Sequence, residues 1–101
     1  MIEVEIYRKA LEDLKDLEAK PRDETLSKIS KLKDSGLSIN EVSPWEDNNG
    51  EIRFRLKVKE ENTDHRVFFD IENGKAVIYG IFHRDEAYET SVKKELNNRI
   101  D

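Results

Sequence analysis

Along the first six residues Ile2, Val4 and Ile6 alternate with Glu3 and Glu5, the period of a strand with one buried face. From there the period lengthens. Ala10, Leu11, Leu14 and Leu17 recur at helical spacing, with Glu, Asp and Lys between them. Pro21 ends that helix and opens a second from its first turn, where the missing N–H would have had no partner anyway. Asp23 and Glu24 follow near the positive end of the second dipole. Leu26, Ile29 and Leu32 continue its apolar stripe to Ser35-Gly36, a C-terminal stop. Two helices joined by a short proline turn predict an αα-hairpin, and their narrow apolar faces require another element to lie on.

Residues 37–50 hold no sustained period and contain Pro44, Asn48, Asn49 and Gly50, which predicts a connector with a short strand at 37–42 ending in a turn. Trp45 is expected to plug the edge of the core, with base stacking as the functional alternative. The second half alternates cleanly. Ile52, Phe54, Leu56 and Val58 interleave with Arg53, Arg55, Lys57 and Lys59, and further strands are predicted at 65–71 and 76–83. Between these two, Asn73-Gly74 marks a type I′ hairpin turn. That turn predicts the pairs Ile71–Ala76, Phe69–Ile78 and Val67–Gly80 on the core face. On the other face it predicts Arg66, Phe68 and Asp70 beside Val77, Tyr79, Ile81 and His83. From Asp85 the pattern is helical again, with Ala87, Val92, Leu96 and Tyr88 on one stripe. The expected order is β-α-α-β-β-β-α: a single α+β domain over residues 1–101, two-layered, with a helical hairpin packed on a mainly antiparallel sheet.

Composition narrows the function classes. Of the 101 residues 41% are charged, well above an average domain, and 36% are hydrophobic. Because the apolar positions are periodic, the excess charge is read as solvated faces rather than disorder. Cysteine is absent, which excludes disulfides, thiolate metal sites and thiol catalysis and suits a reducing compartment. No apolar run approaches the roughly 18 residues of a membrane span. The acidic, alternating start is unlike a secretory signal, so a soluble cytoplasmic protein is expected. The net charge of −5 is unevenly spread: −4 over residues 1–50, +1 over 51–84 and −2 over 85–101. A general nucleic-acid coat is therefore excluded, but a local polyanion site in the central segment is not.

No phosphate-binding glycine loop, dinucleotide fingerprint, nucleophile elbow or zinc-helix motif occurs. His65 and His83 are too few for a metal site, and no cofactor is expected. What stands out is Arg53, Arg55, Lys57 and Lys59 on one side of one strand, joined by Arg66 from the next strand and by Arg84 and Tyr88 after the last. Such a face either pairs with nearby acids such as Glu51, Glu60, Glu61 and Asp64, or receives a polyanion with flat bases, for which Phe68, Tyr79 and Tyr88 are stacking candidates.

Four segments resemble the RelE/ParE superfamily of toxin–antitoxin toxins. They are Ile-Glu-Val-Glu-Ile-Tyr-Arg-Lys-Ala-Leu-Glu-Asp-Leu (2–14), Glu-Ile-Arg-Phe-Arg-Leu (51–56), His-Arg-Val-Phe-Phe-Asp-Ile (65–71) and Ile-Phe-His-Arg-Asp-Glu-Ala-Tyr (81–88). The resemblance spans nearly the whole chain in the family's element order. It departs at His65, where the family has tyrosine, in a longer acidic connection before that residue, and in the net negative charge.

The resemblance implies a metal-independent endoribonuclease that cuts mRNA on the ribosome, leaves a 2′,3′-cyclic phosphate and is neutralised by a cognate antitoxin. By position it implies Arg66, Arg84, Tyr88 and His83 as catalytic residues. Arg66 would stabilise the transition state, Tyr88 would stack or transfer a proton, and His83 would act as acid–base. Arg53, Arg55, Lys57 and Lys59 are implied as RNA-binding. The partners implied are the antitoxin, the ribosome and mRNA, with no membrane and no small-molecule cofactor. Two alternatives remain open: a ParE-like inhibitor that binds DNA gyrase without catalysis, and an inactive interaction module of the same fold.

Overall fold

A computed structural model of the chain describes residues 2–61 and 63–100. Strand β1 (Glu3–Ile6) leads into helices α1 (Arg8–Lys15) and α2 (Ala19–Ser35). Pro21 falls in the first turn of α2, and Gly36 closes that helix at φ 63°, the left-handed region that glycine tolerates best. A 3-10 turn (Gly36–Ser38) then precedes β2 (Val42–Glu46), β3 (Ile52–Glu60), β4 (Thr63–Glu72) and β5 (Lys75–His83). Two further helices, α3 (Arg84–Ala87) and α4 (Thr90–Ile100), complete the order.

The strands form one sheet in the order β1-β5-β4-β3-β2, antiparallel except for β1 against β5. The α+β class, the mainly antiparallel sheet and the helical hairpin on one of its faces therefore agree with the sequence pattern. The strand expected at 37–42 lies later, at Val42–Glu46, and includes Pro44. A proline is tolerated there because β2 is an edge strand, paired only with β3.

The predicted β4–β5 register is correct near the turn and wrong beyond it. Ile71 faces Ala76 and Phe69 faces Ile78, but Phe68 faces Gly80, so Tyr79 is an extra residue on β5. This bulge moves everything after it by one position: Val67 pairs with Ile81, Arg66 with Phe82, and His65 with His83. Ile81 consequently enters the core, and Phe82, not Ile81 or His83, stands beside Arg66. The expected Val67–Gly80 pair does not form.

Leu56, Val58, Val67, Phe69, Ala76, Ile78 and Ile81 bury one face against Ala10, Leu14, Ile29 and Leu32 of the helical hairpin. A second, smaller apolar cluster occupies part of the opposite face. There Trp45, Phe68, Val77 and Tyr79 are covered by Ala87, Val92 and Leu96 of α3 and α4. Trp45 is buried in this cluster, 5.1 Å from the Phe68 ring centroid, as its core reading required. The last helical segment is thus broken at Tyr88: α3 is a single turn, and α4 alone carries the Val92–Leu96 stripe across the sheet. No helix among the described residues is long and apolar enough to cross a membrane.

Candidate functional site

The part of the second sheet face that α4 leaves open across β3, β4 and β5 begins beside the row in which Phe68 and Gly80 lie under α4. Arg55 pairs with Phe68, and Phe68 with Gly80; Lys57 pairs with Arg66, and Arg66 with Phe82; Lys59 pairs with Asp64. Arg84 begins α3 directly after β5 and returns toward the last row, its Nη1 4.0 Å from Asp64 Oδ2. The strand pleat and the start of α3 therefore bring Lys59, Arg66 and Arg84 to one carboxylate, with Lys57 opposite Arg66.

Arg66 is the buried member, with its side chain 8% exposed. Its Nη1 donates to Asp64 Oδ1 at 2.9 Å and to the carbonyl of His65 at 3.0 Å. Asp64 sits two residues before it, on the same side of β4. Burial works to raise the pKa of this carboxyl, but the Arg66 hydrogen bond and the charges of Arg66, Lys59 and Arg84 outweigh it and hold the group below the usual carboxylate range. Lys57 and Lys59 are exposed and make no ion pair among the described residues.

Tyr88 caps the C-terminus of α3 and is 47% exposed, not packed on the apolar stripe. The guanidinium of Arg55 lies 5.1 Å from its ring centroid, and Arg55 Nε donates to Ser43 Oγ at 2.9 Å. One ring face is thus backed by a cation, which makes Tyr88 a platform at the border of the cationic rows.

Two predicted residues lie elsewhere. Arg53, expected to bind RNA, is already committed to three carboxylates: Asp47 at 2.9 Å, Glu51 at 2.8 Å and Asp70 at 2.5 Å. Asp47 also accepts from the backbone N–H of Asn49 and of Glu51, so this network closes the β2–β3 turn, with Gly50 in the left-handed region at φ 78°. Burial opposes the ionised form of Asp47, but the Arg53 and backbone hydrogen bonds overcome it and lower its pKa.

His83 is the N-cap of α3, its Nδ1 accepting from the N–H of Asp85 at 3.2 Å. The bulge places His83 opposite His65, ring centroids 5.5 Å apart, in a shallow groove of about 350 Å³ that Asp13, Asp16 and Glu86 also line. Its row alternates with that of Arg66, so the two project from opposite faces.

Two residues of the site escaped the sequence reading as functional candidates. Asp64 was legible as one of several neutralising acids, and its spacing of two from Arg66 on a strand already placed both on one face. Phe82 was hidden by the bulge, for which Gly80 is the one mark in the sequence. Among the described residues no three His, Asp or Glu side chains come together in a way that would hold a metal ion.

No protein-family model matches the chain, and no curated protein does. Solved structures do. The double arginine-to-alanine mutant of Escherichia coli toxin RelE in its free state aligns with a TM-score of 0.70 and 13% identity, over 99% of this chain and 98% of that one. A chain of the RelBE2 toxin–antitoxin complex of Mycobacterium tuberculosis aligns with a TM-score of 0.54 and 19% identity, over 82% of this chain and 98% of that one. The fold is RelE-like, as the four segments implied.

Proposed function

We propose that the chain is the toxin of a toxin–antitoxin pair and a metal-independent endoribonuclease that cuts mRNA on the ribosome. Its RNA site is the open cationic half of the second sheet face. The observation that carries this reading is the placement, on a RelE-like fold, of a buried arginine among Lys57, Lys59 and Arg84 beside the exposed Tyr88 ring. Arginines and lysines suit the phosphate backbone, and an exposed aromatic suits an unstacked base.

In this reading the scissile phosphate lies against Arg66. The 2′-oxygen attacks phosphorus as its proton leaves to water. The P–O5′ bond then breaks to give a 2′,3′-cyclic phosphate and a 5′-hydroxyl. Arg66, Lys57 and Arg84 face the charge that builds on the phosphorane, where fixed donors act most strongly. The Lys57 ammonium and the Tyr88 hydroxyl are the protic groups available to the leaving oxygen. The antitoxin partner, supported by the RelBE2 likeness, would bring acids to Arg55, Lys57 and Arg66.

Mapping new RNA 5′ ends in a translating extract supplied with the purified chain tests the proposal. Cuts within translated codons are expected, reduced about 100-fold or more by Arg66→Gln with an unchanged circular dichroism spectrum. A second reading, a ParE-like gyrase inhibitor, is favoured by one observation: the cationic face holds no histidine, since His83 projects from the other side. Inhibition of gyrase supercoiling by a chain that makes no cuts would select it.

A further inference from the structure

Among the described residues Asp64 is the carboxylate at the centre of the cationic rows, and it meets two arginines through different oxygens: Arg66 through Oδ1 at 2.9 Å and Arg84 through Oδ2 at 4.0 Å. A long arginine has many rotamers, and the strand alone does not choose among them. Here Nη1 is pinned between Asp64 Oδ1 and the His65 carbonyl, which sets the plane of the guanidinium fork. Among the described residues neither Nε nor Nη2 of Arg66 has an acceptor. The pinned edge is thus one side of the fork, and the other side remains for a ligand.

The charges are placed to matter. Lys57 is directly opposite Arg66, and Lys59 directly opposite Asp64. Like charges paired across strands repel, so without a carboxylate at position 64 the rows would splay. The contact with Arg84 is the looser of the two, and Arg84 is 56% exposed. An incoming anion therefore draws Arg84 away at little cost, while Arg66 keeps its anchor.

We propose that Asp64 is a positioning residue for an anion site formed by Arg66 and Arg84, aligning Arg66 while competing with the phosphate for Arg84. The inference deepens the ribonuclease reading and rests on it for the identity of the anion as an RNA phosphate. The carboxylate contributes alignment and costs affinity. Its removal moves binding and turnover in opposite directions, which loss of a merely structural contact does not do.

The test compares the full chain with Asp64→Asn and Asp64→Glu in two assays. Inorganic phosphate binding is followed through the arginine Nε–H signals by NMR, and single-turnover cleavage is measured on ribosome-bound message. For Asp64→Asn phosphate binding is expected to tighten about fivefold, the scale of one partly exposed charge pair. The maximal cleavage rate is expected to fall about tenfold or more, as misplaced catalytic groups do. Asp64→Glu, which keeps the carboxylate, is expected to recover most of the rate. Weaker phosphate binding in Asp64→Asn, or unchanged values in both assays, overturns the proposal. Should Asp64→Asn fail to fold, Asp64→Glu with unaltered Arg66 and Arg84 signals supports it, and a loss of those signals overturns it. A wild-type chain that cleaves no RNA yet gains phosphate affinity on Asp64→Asn supports the role of Asp64 and defeats the ribonuclease reading alone.

Discussion

Asp13 and Arg99 come from helices on opposite faces of the sheet and meet at the edge of β5. Arg99 Nη1 donates to Asp13 Oδ2 at 2.7 Å and to the carbonyl of Tyr79 at 2.9 Å, and Asp13 Oδ2 also accepts from the N–H of Ile81 at 3.0 Å. The cause is the length of β1. It pairs with β5 only as far as Ile78, so the peptide groups beyond that point need other partners. One ion pair thus finishes the sheet edge and ties α1 and α4 to β5.

Because Arg99 is 10% exposed, its removal leaves Asp13 charged and partly buried without a counter-ion. Arg99→Ala is expected to cost about 3 kcal/mol. The cost would be read as a lower urea midpoint at an unchanged slope. A loss below about 0.5 kcal/mol would show that the pair is screened like a surface one.

Gly80 is required by close approach. A Cβ there would stand 2.6 Å from Phe82 Cε2, 2.9 Å from Arg99 Nη1 and 2.9 Å from Leu96 Cδ2. Gly80→Ala is expected to destabilise the chain by about 1–3 kcal/mol, because Leu96 and Phe82 must give way. It should also shift Trp45 fluorescence by loosening α4 over the second cluster. A stability equal to wild type would mean that α4 is not seated on β5 in solution.

Arg53 and Lys57 carry like charge on the same face of β3, with Arg55 between them, and have different expected phenotypes. Arg53→Ala leaves Asp47, whose side chain is 1% exposed, without its cation, at a cost of about 3 kcal/mol. RNA affinity per folded molecule should not change. Lys57→Ala should leave the urea midpoint in place, weaken RNA binding and lower the salt slope by about 0.7. The reverse pattern would place the RNA contact on Arg53.

His65 sets a pH window for stability. Burial lowers its pKa and the His83 charge adds to this, while Asp64 pulls the other way without offsetting them. Above the unfolded value of about 6.5 the ring is neutral in both states. As pH falls below 6.5 the unfolded chain takes up the proton first, so stability declines until the folded pKa is passed and then levels off. Asp47 and Asp64, with lowered pKa values, add their own loss only below about pH 4. Urea midpoints at pH 7.5 and 5.5 should therefore differ for wild type and converge for His65→Gln. Equal midpoints in the wild type would mean that the ring is not held neutral by the fold.

Local order was legible where short-range chemistry sets it. The alternation over Ile52, Phe54, Leu56 and Val58, the Asn73-Gly74 turn, Pro21 and Gly36 each act within a few residues. They suffice for the strands, the hairpin and its first two register pairs, and the helical hairpin. The candidate site was legible only as a set of residue types. Arg66, Lys57 and Lys59 project together because strand alternation puts them on one face, and the structure retains that placement. Arg53 and His83 looked equally eligible by type, yet one is consumed by Asp47, Glu51 and Asp70 and the other projects from the opposite side.

The sequence by itself determined the α+β class, the cationic strand and the resemblance that named a fold, because periodicity and turn chemistry are local. Tertiary structure alone decided which cations remain available, since an ion pair depends on what distant segments bring within about 4 Å. It also decided that Phe82 stands opposite Arg66, where the register read from the sequence put Ile81, and that His83 projects from the other face. One extra residue at Tyr79 inverts every side chain after it, and α4 packs on the adjacent Gly80 so closely that a Cβ there would meet Leu96 at 2.9 Å.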